Sequence, residues 1–286
     1  MLFNSVKQKL GLQFNGYFVI KGFITNEVQK EILTYYHKLN LTADSRVSSY
    51  GVYTNKPKEI SADKNQEIDA YLTQACNLSL NKHFKDFKIG GGIFLLKGIG
   101  ENSVSMHQDW NIVDETKHIS FSIWSPLIDV DESNGCLHVI PGSHKWFKNI
   151  RSSNIDSVFL PLNKVKDSLI SIPLKKGDAI VFSHNLFHGS FPNKSNETRP
   201  AFCISLYPSN ADYVHFLKED NSVKILNSAS NYFLKPLSEN QSNKEDILKT
   251  IPYKDEYTLT EGRFWDKYKQ MAGTRMLRKI LHFVLK

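Results

Sequence analysis

Hydrophobic and polar residues follow a helical period in the first part of the chain, after one short strand. The segment 16–23, GYFVIKGF, is an apolar run bounded by glycines and predicts a strand. A helix is expected to begin near Asn26, with Gln29 as a candidate capping-box partner. Its apolar positions recur at helical spacing: Val28, Ile32, Tyr35 and Leu39. A second helix is predicted over about 65–84, with Ile68, Leu72 and Cys76 on one face.

From about residue 88 the period changes to two, and short apolar segments alternate with turn residues as far as about 210. Many short strands at this spacing are typical of a jelly roll. We therefore predict a mainly β fold with helical packing, a cupin-like double-stranded β-helix (jelly roll) with N-terminal helices and a C-terminal helical tail. A single domain, 1–286, would hold a β core at about 88–210, a long loop at 43–64 and an insertion at 144–168. Beyond 210 we expect loop and helix, with 240–286 as a basic helical extension.

Composition narrows the class of protein. The hydrophobic fraction of 41% is that of a folded globular chain, and no apolar run reaches the length of a membrane span. Lys7, Lys9 and Gln13 interrupt the apolar residues of the N-terminus, so no signal peptide is expected. The three cysteines, Cys76, Cys136 and Cys203, are odd in number and far apart, which argues against a disulfide framework or a thiolate zinc site. They favour a reducing, cytoplasmic location and burial as small apolar side chains.

The net charge of +7 is concentrated at one end of the chain. Residues 263–286 contain seven Lys or Arg and one acid, so the rest of the chain is close to neutral. A nucleic-acid-binding domain would carry its positive charge over a broad face, so we expect no nucleic-acid partner. On a helical wheel, residues 275–286 divide into a basic and an apolar face. Such a helix could contact an anionic membrane or an acidic partner, or pack on its own domain, and the sequence leaves these alternatives open.

The step His107-Gln108-Asp109 lies at a predicted strand, where residues two apart project from the same face. A second histidine from a distant strand would complete two nitrogens and one oxygen on one side of a metal, the facial triad of non-haem iron oxygenases. Alone the step is a weak signal, because chance produces it in about a third of chains with this composition.

His188 and the residues after it, LFHGSFPNKSNETRPAF, strengthen this interpretation. Arg199 follows eleven residues later at the start of a predicted strand. A buried guanidinium near iron can hold the distal carboxylate of 2-oxoglutarate through two parallel hydrogen bonds, and the Ser190 hydroxyl could assist. Trp124 shares strand parity with Ser120 and Ser122, which is typical of a barrel wall that faces a site, although a core role for Trp124 is also open.

These motifs occur in a fixed order: HxD, the Trp124 strand, NGCLHVIPGSH, KKGD and HGSFPNKSNETR. In this order, over roughly 13–210, the chain resembles the phytanoyl-CoA dioxygenase family. The resemblance implies that His107, Asp109 and His188 bind Fe(II), and that Arg199, Ser190 and Trp124 surround 2-oxoglutarate, with O2 as second cosubstrate. Halogenating relatives replace the carboxylate ligand with a small residue. Asp109 therefore favours hydroxylation or a related oxidation, with release of succinate and CO2. The family resemblance and the basic tail suggest a small or carrier-linked metabolite as the substrate.

The sequence is also compatible with two other functions. The protein could be a non-catalytic jelly-roll binding protein with a relict metal site, or an iron oxygenase that does not use 2-oxoglutarate, against which Arg199 argues. Tyr50, Tyr53 and Trp110 are candidate substrate contacts, with plain packing as the alternative. His118, His138, His144 and His184 lie among the motifs but not at ligand positions, and His144 is expected to be structural.

Overall fold

A computed structural model describes residues 3–41, 62–100, 103–147, 149–152, 154–155, 158–160, 162–227 and 247–271. Its helices are α1 (Val6–Asn15), α2 (Asn26–Lys38), α3 (Ala62–His83), α4 (Leu162–Val165) and α5 (Glu261–Gln270). The strands are β1 (Tyr17–Ile20), β2 (Phe87–Lys97), β3 (Val104–His107), β4 (Phe121–Pro126), β5 (Leu137–Val139), β6 (Ile170–Ile172), β7 (Ala179–Ser183), β8 (His188–Ser190), β9 (Arg199–Pro208), β10 (Val214–Glu219), β11 (Ser222–Asn227) and β12 (Ile247–Pro252). Within the described ranges, none of the helices is both long enough and apolar enough to cross a membrane.

Two antiparallel sheets form the predicted jelly roll. The larger sheet has the strand order β1-β7-β4-β9-β2, and the smaller has the order β3-β8-β5-β6. Buried side chains from both sheets form one cluster between them, including Trp124, Phe182 and Ala201 from the larger and Leu137 and Val139 from the smaller. The non-consecutive strand order brings residues far apart in sequence onto neighbouring strands, which is what a site built from several motifs requires.

The first three helices cover the outer face of the larger sheet. Phe121 and Ile123 of β4 point to this face and pack with Ile32 of α2 and Leu72 of α3. The predicted apolar faces of α2 and α3 are therefore confirmed as core. Because neighbouring residues of a strand point to opposite sides, Ser122 and Trp124 face the space between the two sheets.

Several local expectations were wrong. The N-cap of α2 is Thr25, whose hydroxyl accepts from the Val28 amide at 3.3 Å. Gln29 is buried and donates to the Leu127 carbonyl at 2.6 Å, so it is not a capping-box partner. The helix α1 was not predicted, because its apolar positions have weak periodicity.

The expectation of only loop and helix beyond 210 is also wrong. Strands β10, β11 and β12 form a separate three-stranded sheet, and β12 lies inside the range predicted as a helical extension. These strands bury Val214, Phe216 and Val223 against the segment around Ile150, and this packing stabilises strands whose short apolar runs do not by themselves distinguish strand from helix.

The α5 helix does fall within the predicted extension. It packs Phe264 and Tyr268 against Trp146 and Phe187, on the outer side of the smaller sheet. Tyr50, Tyr53, nearly all of the 43–64 loop and the 275–286 segment lie outside the described residues. The three cysteines are free thiols; Cys76 and Cys136 are buried, but Cys203 is only partly so.

Candidate metal centre

Strand pairing brings the two candidate histidine ligands together. His107 is the last residue of β3 and His188 the first of β8, and the two are direct partners in the antiparallel register. Directly opposite residues project from the same face of a sheet. Their ring centroids are 4.4 Å apart, and both side chains are almost fully buried.

Both histidine rings are oriented by backbone carbonyls. Nδ1 of His107 lies 2.9 Å from the Ser105 carbonyl oxygen, and Nδ1 of His188 lies 3.0 Å from that of Leu186. A carbonyl accepts only, so each Nδ1 carries a proton and Nε2 is the nitrogen of each ring that is placed to bind a metal. Metal-bound histidines commonly show this arrangement, in which the second nitrogen donates to a fixed oxygen.

Asp109 lies two residues beyond His107, after β3 has ended. Its Oδ1 is 3.6 Å from Nε2 of His188 and 3.9 Å from Nε2 of His107. Its Oδ2 accepts a hydrogen bond from the Ser122 hydroxyl at 3.3 Å. The structure thus brings the three predicted ligands together, and their donor atoms all lie within 4.8 Å of one another.

The protonation states of this group suit a divalent cation. Burial, followed by the neighbouring His188, lowers the pKa of His107 to about 4, so its imidazole is neutral at physiological pH. Burial alone would raise the pKa of the Asp109 carboxyl, but the nearby histidines and the Ser122 hydroxyl hold this pKa below its usual value. Within the described part of the chain, Nε2 of His107 is buried and accepts no hydrogen bond. A metal ion would satisfy this nitrogen, so the residues fit an iron site.

The triad opens into a cavity between the two sheets. Arg199 is 4% exposed and is the direct register partner of Lys97, which is 1% exposed. Both residues line the cavity, as do Ser190 and Trp124. The guanidinium carbon of Arg199 is 5.1 Å from the Trp124 ring centroid, a cation–π contact that helps to orient the planar fork.

Among the predicted substrate contacts, Trp110 lines the cavity. His184 and Lys97 also line it, although neither was predicted as a site residue. Strand alternation places Lys97 on the same face of β2 as Ile93 and Leu95, and this could have indicated a shared environment. The sequence does not show which face of the strand points into the cavity. No described residue of the 144–168 segment lines the cavity. Phe159 of this segment stacks on His107, with the two ring centroids 5.8 Å apart. As expected, His144 is not at the triad, and its Nε2 lies 3.3 Å from the Gln13 carbonyl oxygen.

Solved structures of low sequence identity share this fold. SnoN, an α-ketoglutarate-dependent epimerase from nogalamycin biosynthesis, is 15% identical in its complex with Fe3+, α-ketoglutarate and nogalamycin RO. The match covers 88% of this chain and 96% of SnoN, with a TM-score of 0.52. The carbocyclase SnoK of the same pathway is 17% identical over 73% of this chain and 86% of its own, with a TM-score of 0.50.

Proteins similar in sequence include phytanoyl-CoA dioxygenases and other dioxygenases. A phytanoyl-CoA dioxygenase domain-containing protein 1 homolog of Dictyostelium discoideum is 30% identical over 149 residues, 49% of this chain and 46% of that protein. Phytanoyl-CoA dioxygenase 1 of rice (Oryza sativa subsp. japonica) is 31% identical over 170 residues, 48% of this chain and 60% of that protein. Dioxygenase olcK of Penicillium canescens is 23% identical over 237 residues, 75% of this chain and 72% of its own. The chain spans about half the length of the first relatives that it matches.

The resemblance predicted from the ordered motifs is confirmed over most of the β core. The family model for phytanoyl-CoA dioxygenase (PhyH) matches residues 12–201, about two thirds of the chain, and this range includes all three candidate ligands and Arg199. The chain therefore belongs to the phytanoyl-CoA dioxygenase family.

Proposed function

We propose that this protein is an Fe(II)- and 2-oxoglutarate-dependent dioxygenase that hydroxylates an unactivated C–H bond of a small or carrier-linked metabolite, releasing succinate and CO2. One observation carries the proposal. A single cavity contains a His-Asp-His group that could hold a metal and a buried guanidinium on the neighbouring sheet. The first suits iron and the second suits a dicarboxylate, so the combination favours 2-oxoglutarate over other cosubstrates.

His107, Asp109 and His188 would hold the iron. Two imidazole nitrogens and one carboxylate would leave the remaining coordination positions for small molecules. When bound, iron with 2-oxoglutarate and O2 supplies the oxidising chemistry, which no amino-acid side chain provides. The chain's own contribution to this step is to keep the His107 imidazole neutral, the Asp109 carboxylate ionised and all three donors close together.

Arg199, Ser190 and Trp124 would bind and orient the cosubstrate. The Arg199 guanidinium offers paired N–H donors to the distal carboxylate, and the Trp124 ring beside it restricts its orientation. Ser190 lies two residues after His188 on β8, so its hydroxyl projects from the same face as that ligand. Lys97, paired in register with Arg199, adds positive charge to this end of the cavity. A bound 2-oxoglutarate dianion would offset that charge.

The rest of the cavity wall would exclude water and contact the substrate. Leu95, Leu137 and Phe182 supply apolar surface, which limits side reactions with solvent. Trp110 lines the cavity next to Asp109 and is the candidate substrate contact that the structure describes. Tyr50 and Tyr53 remain predictions for the same role.

Hydroxylation is the favoured outcome because Asp109 supplies a carboxylate ligand. In halogenating relatives that position is small, so that a halide can bind the metal; here the carboxylate lies within 4 Å of both imidazoles. Analysis of the product for one added oxygen atom tests this choice against epimerisation or ring closure.

The first experiment is an anaerobic titration of the protein with Fe(II) and 2-oxoglutarate. We expect a visible charge-transfer band in wild-type protein and its loss in His107→Ala, with exposed His37→Ala as control. In air, labelled 2-oxoglutarate should yield labelled succinate. A band that persists in His107→Ala would contradict the ligand assignment. Wild-type protein that gives neither band nor succinate and consumes no O2 would favour the non-catalytic binding protein. Fe(II)-dependent O2 consumption without a band and without succinate would favour an oxygenase that does not use 2-oxoglutarate.

The basic C-terminal segment suggests contact with an anionic membrane or an acidic carrier, and this remains a prediction. Deleting residues 272–286 and measuring cosedimentation with anionic vesicles together with thermal unfolding tests it. Lost vesicle binding with unchanged stability supports membrane contact. Lost stability with unchanged vesicle binding supports packing on the protein's own domain.

A further inference from the structure

A fully buried arginine outside both sheets contacts the segment that carries Asp109. Arg151 lies in the predicted insertion, and its side chain is 1% exposed. Its Nε donates to the Asp109 carbonyl oxygen at 2.6 Å, and its Nη2 donates to Oε1 of Glu115 at 2.5 Å. Nη1 donates to the Asn149 carbonyl oxygen at 3.0 Å, so all three nitrogens of the guanidinium are used.

The backbone around Arg151 and the backbone around Asp109 are joined at further points. The Arg151 amide donates to Oδ1 of Asn111 at 2.6 Å, and the Asn111 amide donates to the Arg151 carbonyl oxygen at 3.1 Å. Asn149 donates from its side-chain amide to Oε1 of Gln108 at 3.2 Å. The two segments therefore pair through side chains and isolated amides where no strand ladder exists.

Asp109 differs from the two histidines in how its position is fixed. His107 and His188 belong to paired strands, so the sheet sets their spacing. Asp109 follows the end of β3, and the peptide groups on both sides of its Cα are held: its amide donates to the His184 carbonyl oxygen at 2.9 Å, and its own carbonyl accepts from Arg151. Removing Arg151 would leave the Asp109 carbonyl without its charged donor.

The ion pair between Arg151 and Glu115 has a desolvation cost that apolar side chains of similar size would not have. Burying a guanidinium and a carboxylate removes both from water, and an apolar pair of similar volume is often as stable. Glu115 is 16% exposed, so both charges are largely desolvated. A planar, fixed fork that holds a carbonyl and a carboxylate together is a geometric function that apolar side chains do not provide.

We infer that Arg151, oriented by Glu115, is a positioning residue that fixes the backbone of Asp109 for metal binding. This inference rests on the proposed metal site. Groups behind metal ligands typically affect metal affinity by about 10- to 100-fold. We expect a loss in that range for Arg151→Met and a smaller loss for Arg151→Lys, whose single ammonium cannot reproduce the fork.

Co(II) binding, followed by its visible absorption, provides a readout that does not depend on turnover. The variants are Arg151→Met, Arg151→Lys, Asp109→Ala and the Asp109→Ala/Arg151→Met double variant. Arg263→Met is the control, because Arg263 also donates to backbone carbonyls, those of Asp255 and Thr258, but lies on α5 away from the site. We expect wild-type affinity for the control. The double variant should bind Co(II) no more weakly than Asp109→Ala alone, since Arg151 acts through Asp109.

The outcomes separate this inference from the proposed function. If wild-type protein fails to bind one Co(II), or Asp109→Ala binds it unchanged, the proposed metal site is wrong. If Asp109→Ala weakens binding while Arg151→Met matches wild type, the positioning role is wrong. Losses that multiply in the double variant would also overturn it, because they indicate a general structural effect. Should Arg151→Met fail to fold by thermal melting, Glu115→Gln gives the same comparison, with loss of Co(II) affinity expected and wild-type affinity contradicting the inference.

Discussion

His138 should make the metal-free protein sensitive to acid. It lies on β5 with no exposed surface, and its ring meets Phe191 edge to face at a centroid distance of 4.3 Å. Neither of its ring nitrogens has a hydrogen-bond partner among the residues that the structure describes. Burial, followed by the neighbouring His188 and Lys97, lowers the pKa of His138 to about 3.

The sign and size of the effect follow from this pKa. In the unfolded chain the imidazole takes up a proton near pH 6.5, whereas in the folded protein it does so only near pH 3. Between these values the unfolded state binds one proton more, so the free energy of unfolding falls as pH falls. Each pH unit below about 6.5 lowers the free energy of unfolding by about 1.4 kcal/mol, so the loss due to His138 is about 2 kcal/mol at about pH 5.

Urea unfolding in the presence of a chelator, at about pH 7.5 and about pH 5, measures this contribution in wild-type protein, His138→Leu and His138→Gln. Both variants lack the titrating ring, so their loss of stability between the two pH values should be smaller than that of wild type by about 2 kcal/mol. At neutral pH, His138→Leu should be the more stable variant, because leucine buries no polar group. The same pH dependence in all three proteins would refute the reasoning.

Three further predictions concern the site and its supports. Arg199→Lys should raise the dissociation constant of 2-oxoglutarate by about 10-fold or more, because lysine cannot donate the paired hydrogen bonds. Titration of the charge-transfer band measures this constant, and an unchanged value would show that Arg199 does not bind the cosubstrate. Gly189→Ala should lower the free energy of unfolding by about 1–3 kcal/mol, since its Cβ would lie 2.5 Å from the Val104 carbonyl oxygen; an unchanged thermal midpoint would contradict this. Ser122→Ala removes a hydrogen bond that lowers the pKa of Asp109, so Co(II) binding should be lost at higher pH on acidification, and an unshifted pH profile would exclude this role.

Much of the fold and part of the site could be predicted from local patterns. Period-two alternation placed Ser122 and Trp124 on one face and Phe121 and Ile123 on the other, because side chains alternate in any extended strand. The apolar face of α3 was predictable because Ile68, Leu72 and Cys76 recur at the helical period. Strands β10 and β11 were missed although Val214 and Phe216, like Val223 and Ile225, alternate at strand spacing, because apolar runs this short do not distinguish strand from helix and their burial depends on the segment around Ile150.

The sequence by itself determined which residue types were available for the chemistry and in what order they follow. HxD, HGS and the Arg199 strand start are local features, and each predicts a side-chain direction along its own segment. No local pattern decides which of the ten histidines meet; the family resemblance implied His107 and His188, and the tertiary structure shows how they come together. His107 and His188 are 81 residues apart and become neighbours through the β3–β8 register, which no local period encodes. The same holds for Arg151, whose partners Asp109 and Glu115 lie 42 and 36 residues earlier. Contacts of this kind form only when separate segments pack together, so they can be read from the fold but not from the pattern of any one segment.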